Sequence, residues 1–282
     1  MFQVLLMADR RASDSVQVGA GAGGLSLSGA EARSLIRSGG WRRSTSGLAP
    51  GRQQANLVVL PAAAAADFRR FCERNPRACP LIEITEPGSF EPRRSAPGAD
   101  LRVDVARYRV YKNGALDREV ENLLDLWRDD FVAFLLGCSF TFEAALQRAS
   151  IPLRHVELGC TVPMYRTNRQ CEPAGPFHGP LVVSMRPVTS DRVGLATEVT
   201  ARYPHAHGAP IHAGDPFELG IADLDNPDYG DQVPVYPGEV PVFWACGVTP
   251  QAAAEAAGID LMIAHAPGHM FVTDLPEEEP RP

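Results

Sequence analysis

The sequence predicts an α/β fold carried by a largely parallel sheet with βαβ units, with a mixed α+β arrangement or two closely packed subdomains as the alternatives. Two strand–helix–strand patterns, at residues 56–85 and 240–264, point to parallel pairing, because parallel neighbours need a crossover and a helix is the usual one. The third observation is size and make-up. At 282 residues the chain exceeds a typical domain of roughly 100 to 150 residues, and its 45% apolar and 22% charged content is that of an ordinary globular core and surface.

Taken in order, residues 1–27 are rich in Gly, Ala and Ser without hydrophobic periodicity, and read as a flexible tail. One folded unit is expected over residues 28–276, with a short tail at 277–282. Ser28 and Glu31 have the spacing of a capping box ahead of a helix at residues 30–37, which Gly39 and Gly40 stop. The first strand–helix–strand pattern has a β-rich run at 56–60, Pro61 at a helix start, a helix over 62–74 and an extended run at 81–85. The near-continuous apolar run 131–136 reads as a helix, followed by a second at 142–149, a strand at 181–185 and a helix at 192–203. Residues 208–238 are dense in Gly, Pro and Asp and read as long ordered loops, where sites tend to lie. In the second pattern a strand at 240–245 leads to Thr249 and Pro250 as helix start, a helix over 251–257, Gly258 as its stop and a strand at 260–264.

A formal charge of -7 without a long basic run offers no footprint for nucleic acid or anionic lipid, so a small molecule is the expected partner. The apolar run at 4–8 is too short for a signal-peptide core, and no stretch reaches the roughly 20 apolar residues of a membrane helix. A cytoplasmic protein with six reduced thiols is therefore expected. A homo-oligomer is compatible with the sequence. None of the cysteines forms a CxxC pair, which argues against a structural zinc site.

If the strands at 240–245 and 260–264 are parallel neighbours, Cys246 and His265 emerge together at the sheet edge where such folds bind ligands. The helix start at Thr249 and Pro250 would favour a carboxylate there and lower the Cys246 thiol's pKa. A small buried cysteine and a hydrogen-bonded strand-end histidine explain the same pair. The turn Gly137-Cys138-Ser139-Phe140-Thr141 offers a second set of amide donors for an oxyanion, or plain helix–turn–helix packing. His205, His207, His212, His265 and His269 are the candidate metal ligands. His265 and His269 have Pro267 and Gly268 between them and so do not form the helical pair of metalloproteases, and acid–base roles fit better. The aspartates 215, 223, 225, 228 and 231 fit no EF-hand spacing. Arg166 and Arg186 can each fork onto a carboxylate or serve in surface salt bridges. With Asn168, His212, Asp215 and Thr249 they make the candidate substrate-binding set, beside Cys138, Cys246, His265 and His269 as the catalytic candidates.

Ten stretches carry a resemblance: GLAPG at 47–51, QANLV at 54–58, RYRVY at 107–111, LWRDDFVAFLLGCSF at 126–140, VPMYRTN at 162–168, PAGPF at 173–177, GPLVVSMRP at 179–187, HGAPIH at 207–212, PGEVPVFWACGVTPQ at 237–251 and HAPGHMFVTDL at 265–275. Over residues 32–275 the chain resembles a bacterial family of hydro-lyases related to mitochondrial D-glutamate cyclases. It departs from the pattern at Arg52 and Gln53, in residues 41–45, which lack a Gly-Pro start, in the loop of Leu158, Gly159 and Cys160, and at His178 and His205. His178, His205 and Cys160 are accordingly left outside the expected site. The resemblance implies conversion of D-glutamate to 5-oxo-D-proline with loss of water and no bound cofactor, a step in amino acid metabolism. Arg166 or Arg186 would hold the α-carboxylate, His265 or His269 would move protons, and amides near Cys138 or Cys246 would hold the oxyanion. A hydro-lyase for another small hydroxy or amino acid, a metal hydratase, and a non-catalytic module that binds a small acid are the alternatives.

Overall fold

The computed structural model describes residues 27–278 and contains two sheets, both wholly antiparallel, with helices packed around them. Of the tails expected at residues 1–27 and 277–282, residues 1–26 and 279–282 lie outside the described part. Helix α1 (Gly29–Arg37) carries the complete Ser28/Glu31 capping box. Strand β1 (Arg52–Pro61) runs into α2 (Ala62–Arg74) and β2 (Leu81–Ile84). A hairpin, β3 (Tyr108–Lys112) and β4 (Ala115–Val120), turns on Asn113 and Gly114, whose φ values of 50° and 76° are those a tight two-residue hairpin loop requires. Strand β5 (Phe131–Gly137) precedes α3 (Phe140–Arg148), α4 (Arg154–Leu158) and β6 (Met164–Gln170). Then come β7 (Pro180–Thr189), α5 (Val193–Ala201), the two-residue β8 (His212–Ala213), β9 (Glu239–Ala245), α6 (Thr249–Ala257), β10 (Leu261–His265) and β11 (Phe271–Pro276).

The first sheet has the order β2-β5-β1-β10-β3-β4, and the second β6-β7-β9-β8. The expected parallel sheet is thus overturned in favour of a mixed α+β architecture. Strands β1 and β2 do run the same way across α2, but β5 lies between them, antiparallel to both. The second pattern fails differently. Strand β9 belongs to the second sheet and β10 to the first, so α6 crosses between sheets and the two strands never pair.

The expected helix at 131–136 is β5, all seven of whose residues are buried. Both faces of the first sheet are covered. On one, Phe134 meets Phe68 of α2 edge-on at 4.8 Å, and on the other Leu135 and Phe131 pack with Leu57, Val59 and the segment holding Leu101 and Val105. A strand buried on both faces loses its polar alternation and reads like a buried helix.

Strand β1 also changes partners along one edge. Its end at Val58 and Val59 pairs with β10, its start at Arg52 to Ala55 pairs with β11, and β5 holds the opposite edge. Residues 266–270, between β10 and β11, are therefore pushed out of the sheet. Among the described residues no helix is long and apolar enough to cross a membrane.

Candidate active site

Where β5 ends and α3 begins, the chain buries an ion cluster. Glu143, in the first turn of α3, accepts from an Arg186 Nη of β7 at 2.7 Å and from the Ser46 hydroxyl at 2.6 Å, and its Oε1 lies 2.9 Å from His155 Nε2 on α4. Arg186 is 1% exposed and also donates to the hydroxyls of Ser139 and Ser184, both at 3.1 Å. Buried charges survive only when paired and hydrogen-bonded, and these are. Burial pushes the Glu143 carboxyl up, but its neighbours His155 and Arg186, with the His155 and Ser46 hydrogen bonds, overcome it and hold the group at about 2. The carboxylate therefore fixes the proton on His155 Nε2, while Phe140 stacks on the imidazole at 6.4 Å.

Two spaces open on this cluster. An inner pocket of about 130 Å³ is lined by Glu143, Thr141, Gln54, Phe140 and Ser46. An outer cleft of about 620 Å³ is lined by His155, Ser46, Arg43, Arg107, Thr161 and His269. Ser46 and Val156 belong to both walls, so the Glu143–His155 bond spans from one space to the other. His269 reaches the cleft because residues 266–270 leave the sheet where β1 changes partner. That loop is stitched to residues 41–46 through Thr45, whose amide donates to the Gly268 carbonyl at 2.8 Å and whose hydroxyl accepts from Met270 N at 3.0 Å.

Of the expected residues, His269 lines the cleft and Arg186 braces Glu143 from behind. Arg186 is buried, gives its Nη groups to Glu143, Ser139 and Ser184, and lines neither space, so it is not placed to fork onto a substrate carboxylate. Cys138 and Cys246 do come together, in one small apolar cluster with Phe140, Val182 and Met270, but neither lines the cleft. Burial raises the Cys138 thiol above its usual range and takes Cys246 to about 11, the reverse of the lowering expected from the helix start. Two of the amides near these thiols are occupied: Phe140 N points at the Cys138 sulfur at 3.5 Å, and Thr249 N donates to the Cys246 carbonyl.

His265 does not meet Cys246 across paired strands, since their strands lie in different sheets. It is 1% exposed, bonded through Nδ1 to the Ala266 carbonyl at 2.8 Å, and burial lowers it to about 4, so it is neutral at neutral pH. Thr249 is a buried clip whose hydroxyl donates to the Cys246 carbonyl at 2.7 Å and accepts from Val182 N. Arg166 lies against Glu255 and Tyr229 outside the cleft. Asn168, His212 and Asp215 sit at the far side of the second sheet. There His212 Nε2 bonds the Asp215 carbonyl at 2.8 Å, and the Asp215 carboxylate caps Phe217 N. Cys160 lines the cleft although its loop was set aside. Among the described residues no group of three or more His, Cys, Asp or Glu side chains is placed to hold a metal ion.

Glu143, His155, Ser46 and Arg107 were not singled out from the sequence as site residues. Glu143 looks like an ordinary acidic residue in a helix's first turn, and only the fold brings it to a histidine twelve positions on. Arg107 begins a quoted motif, which was the one available signal.

The chain matches the family model described as D-glutamate cyclase over residues 132–274. A protein of Stutzerimonas stutzeri named "Putative hydro-lyase" is 57% identical over 253 residues, 90% of this chain and 96% of that one. A protein of the same name from Rubrobacter xylanophilus is 61% identical over 250 residues, covering 89% and 96%. A third, from Geobacillus kaustophilus, is 57% identical over 253 residues, covering 90% and 96%.

Proposed function

The chain belongs to the D-glutamate cyclase family of hydro-lyases, and from that premise we propose that it cyclises D-glutamate to 5-oxo-D-proline with loss of water. The observation that carries this reading is the Glu143–His155 pair, a buried ionised carboxylate bonded to an imidazole that opens on an arginine-walled cleft.

The reaction joins the substrate nitrogen to the side-chain carboxyl carbon and breaks one C–O bond of that carboxyl. The ammonium gives up two protons in becoming a lactam N–H, and the departing oxygen takes up two in becoming water. A base must accept protons on one side of the reacting carbon and an acid must return them on the other. His155, held in one tautomer by Glu143, serves as the group that takes protons from nitrogen, and His269 as the second group at the cleft. Arg107, which lines the cleft, faces the negative charge that develops on the carboxyl oxygen. Arg186 acts through Glu143 by keeping it ionised.

The test is incubation of the purified protein with D- and with L-glutamate in metal-free buffer, following 5-oxoproline by chiral mass spectrometry against the spontaneous rate. The D-isomer is expected to react, and His155→Asn to lower kcat by at least about a hundredfold, the usual worth of a positioned acid–base group. No product from D-glutamate above the spontaneous rate would refute the proposal.

A further inference from the structure

We infer that Arg43, resting on Trp41, is the residue that selects a dicarboxylic substrate by binding the carboxylate that does not react. This rests on the reading above, in which one carboxyl is consumed at the His155 end and the other must be held throughout.

Three arginines, Arg42, Arg43 and Arg107, wall the outer cleft. Two have protein partners: Arg42 lies 3.6 Å from Glu121 and donates to the Ile36 carbonyl, and Arg107 lies 3.5 Å from Glu119. Arg43 makes no ion pair among the described residues. Its guanidinium carbon sits 4.4 Å from the centre of the Trp41 ring. Stacking fixes the plane of a guanidinium while leaving its edge, where the N–H donors are, open to a planar carboxylate. The platform is itself held, since Trp41 Nε1 donates to the Ser44 carbonyl at 3.1 Å and Gln54 Nε2 to the Thr45 carbonyl at 2.8 Å. A preset cation without a counter-ion, on the same cleft as the Glu143–His155 pair, fits the fixed end of a short dicarboxylate. This segment is also where the chain departs from the pattern it otherwise resembles.

The experiment compares glutarate with butyrate, which differ by one carboxylate and cannot cyclise, by calorimetric binding to the wild type, Arg43→Gln and Arg43→Lys. The wild type is expected to bind glutarate at least about tenfold more tightly, as one charge-assisted contact provides. Arg43→Gln should bring the two ligands within about twofold, Arg43→Lys should fall between, and thermal unfolding should be unchanged because the side chain is exposed. With D-glutamate, Arg43→Gln should raise KM about tenfold to a hundredfold and leave kcat nearly as it is. Arg43→Gln that keeps the full glutarate preference overturns the inference. A wild type that shows the preference, loses it in Arg43→Gln and yet makes no 5-oxoproline leaves the anchor standing and removes the proposed reaction.

Discussion

Replacing Glu143 by glutamine removes the one negative charge that, among the described residues, pairs with the fully buried Arg186. The shape and one acceptor remain, so Ser46 and the guanidinium keep a hydrogen-bonding partner, but the charge balance does not. Arg186 is 1% exposed, its Nε has no partner among the described residues, and its other contacts there are two neutral hydroxyls and the rings of Phe142 and Trp244 at 5.4 and 5.6 Å. Breaking a buried pair by removing one charge costs about 3 to 5 kcal/mol, because the other charge is left uncompensated. Solvent screening does not reduce this, since Glu143 is itself 3% exposed. For a domain of this size the loss corresponds to a fall in Tm of roughly 10 °C. Glu143→Gln combined with Arg186→Met, which replaces the pair by neutral groups of similar volume, should recover most of it, while activity stays lost in both. Denaturant unfolding of the two single variants and the double variant measures the coupling. A single variant that loses less than about 1 kcal/mol, or a double variant no more stable than the single, would refute the view that this pair braces the site.

The buried thiols should behave as inert packing groups. With Cys138 raised by burial and Cys246 held at about 11, iodoacetamide at pH 8 should label Cys160 first and leave those two untouched until unfolding, and glutarate should slow Cys160 labelling because that thiol lines the cleft. Peptide mass spectrometry reads this, and early labelling of Cys138 would contradict it. Stability should fall on acidification in two windows. His207 and His265, lowered to about 4 by burial, bind protons more readily when unfolded, so their contribution is present above the ordinary histidine value of about 6.5 and is lost as pH falls towards 4. Glu143, lowered to about 2, adds a further loss between about 4.5 and 2. A urea midpoint at pH 5.5 equal to that at pH 7.5 would rule out the first window. Gly247→Ala should destabilise by about 1 to 3 kcal/mol, since a methyl there would sit 1.9 Å from Asn56 Nδ2, and that amide ties β1 to the Gly137 carbonyl at 2.7 Å. Circular dichroism melts would show the loss, and an unchanged Tm would mean the close approach is not rigid.

Local signals in this sequence were legible and pairwise ones were not. The helix at 62–74, the Ser28/Glu31 box and the stop at Gly258 follow from capping and periodicity, which depend on residues a turn apart. Which strands are neighbours in the first sheet depends, outside the β3–β4 hairpin, on residues from about fifty to more than two hundred positions away, and strand–helix–strand patterns alone pointed to the wrong pairing. The Asn113-Gly114 pair is an exception, a short-range hairpin signal between two extended runs. At the cleft, the stretches that carry the resemblance contain Arg107 and His269, while Ser46, Glu143 and His155 fall outside them. Cys246 and Thr249 are where a helix start places them, yet burial turned one into an un-ionised filler and the other into a clip. The Glu143–His155 pair could not be read because its members stand on separate helices with a loop between them.

The two-partner edge of β1 also sets the order in which this molecule can be completed during synthesis. Half of the central sheet is waiting, once β5 has docked, for residues 261–276 to leave the ribosome, some two hundred positions after β1 itself. At ordinary translation speeds of about 5 to 20 residues per second, that leaves an apolar strand with one row of unpaired backbone groups for roughly 7 to 30 seconds. Such an edge recruits foreign strands, so nascent chains stalled before β10 should be the species that chaperones hold, and shortening the protein from that end should yield inclusion bodies rather than a smaller soluble domain.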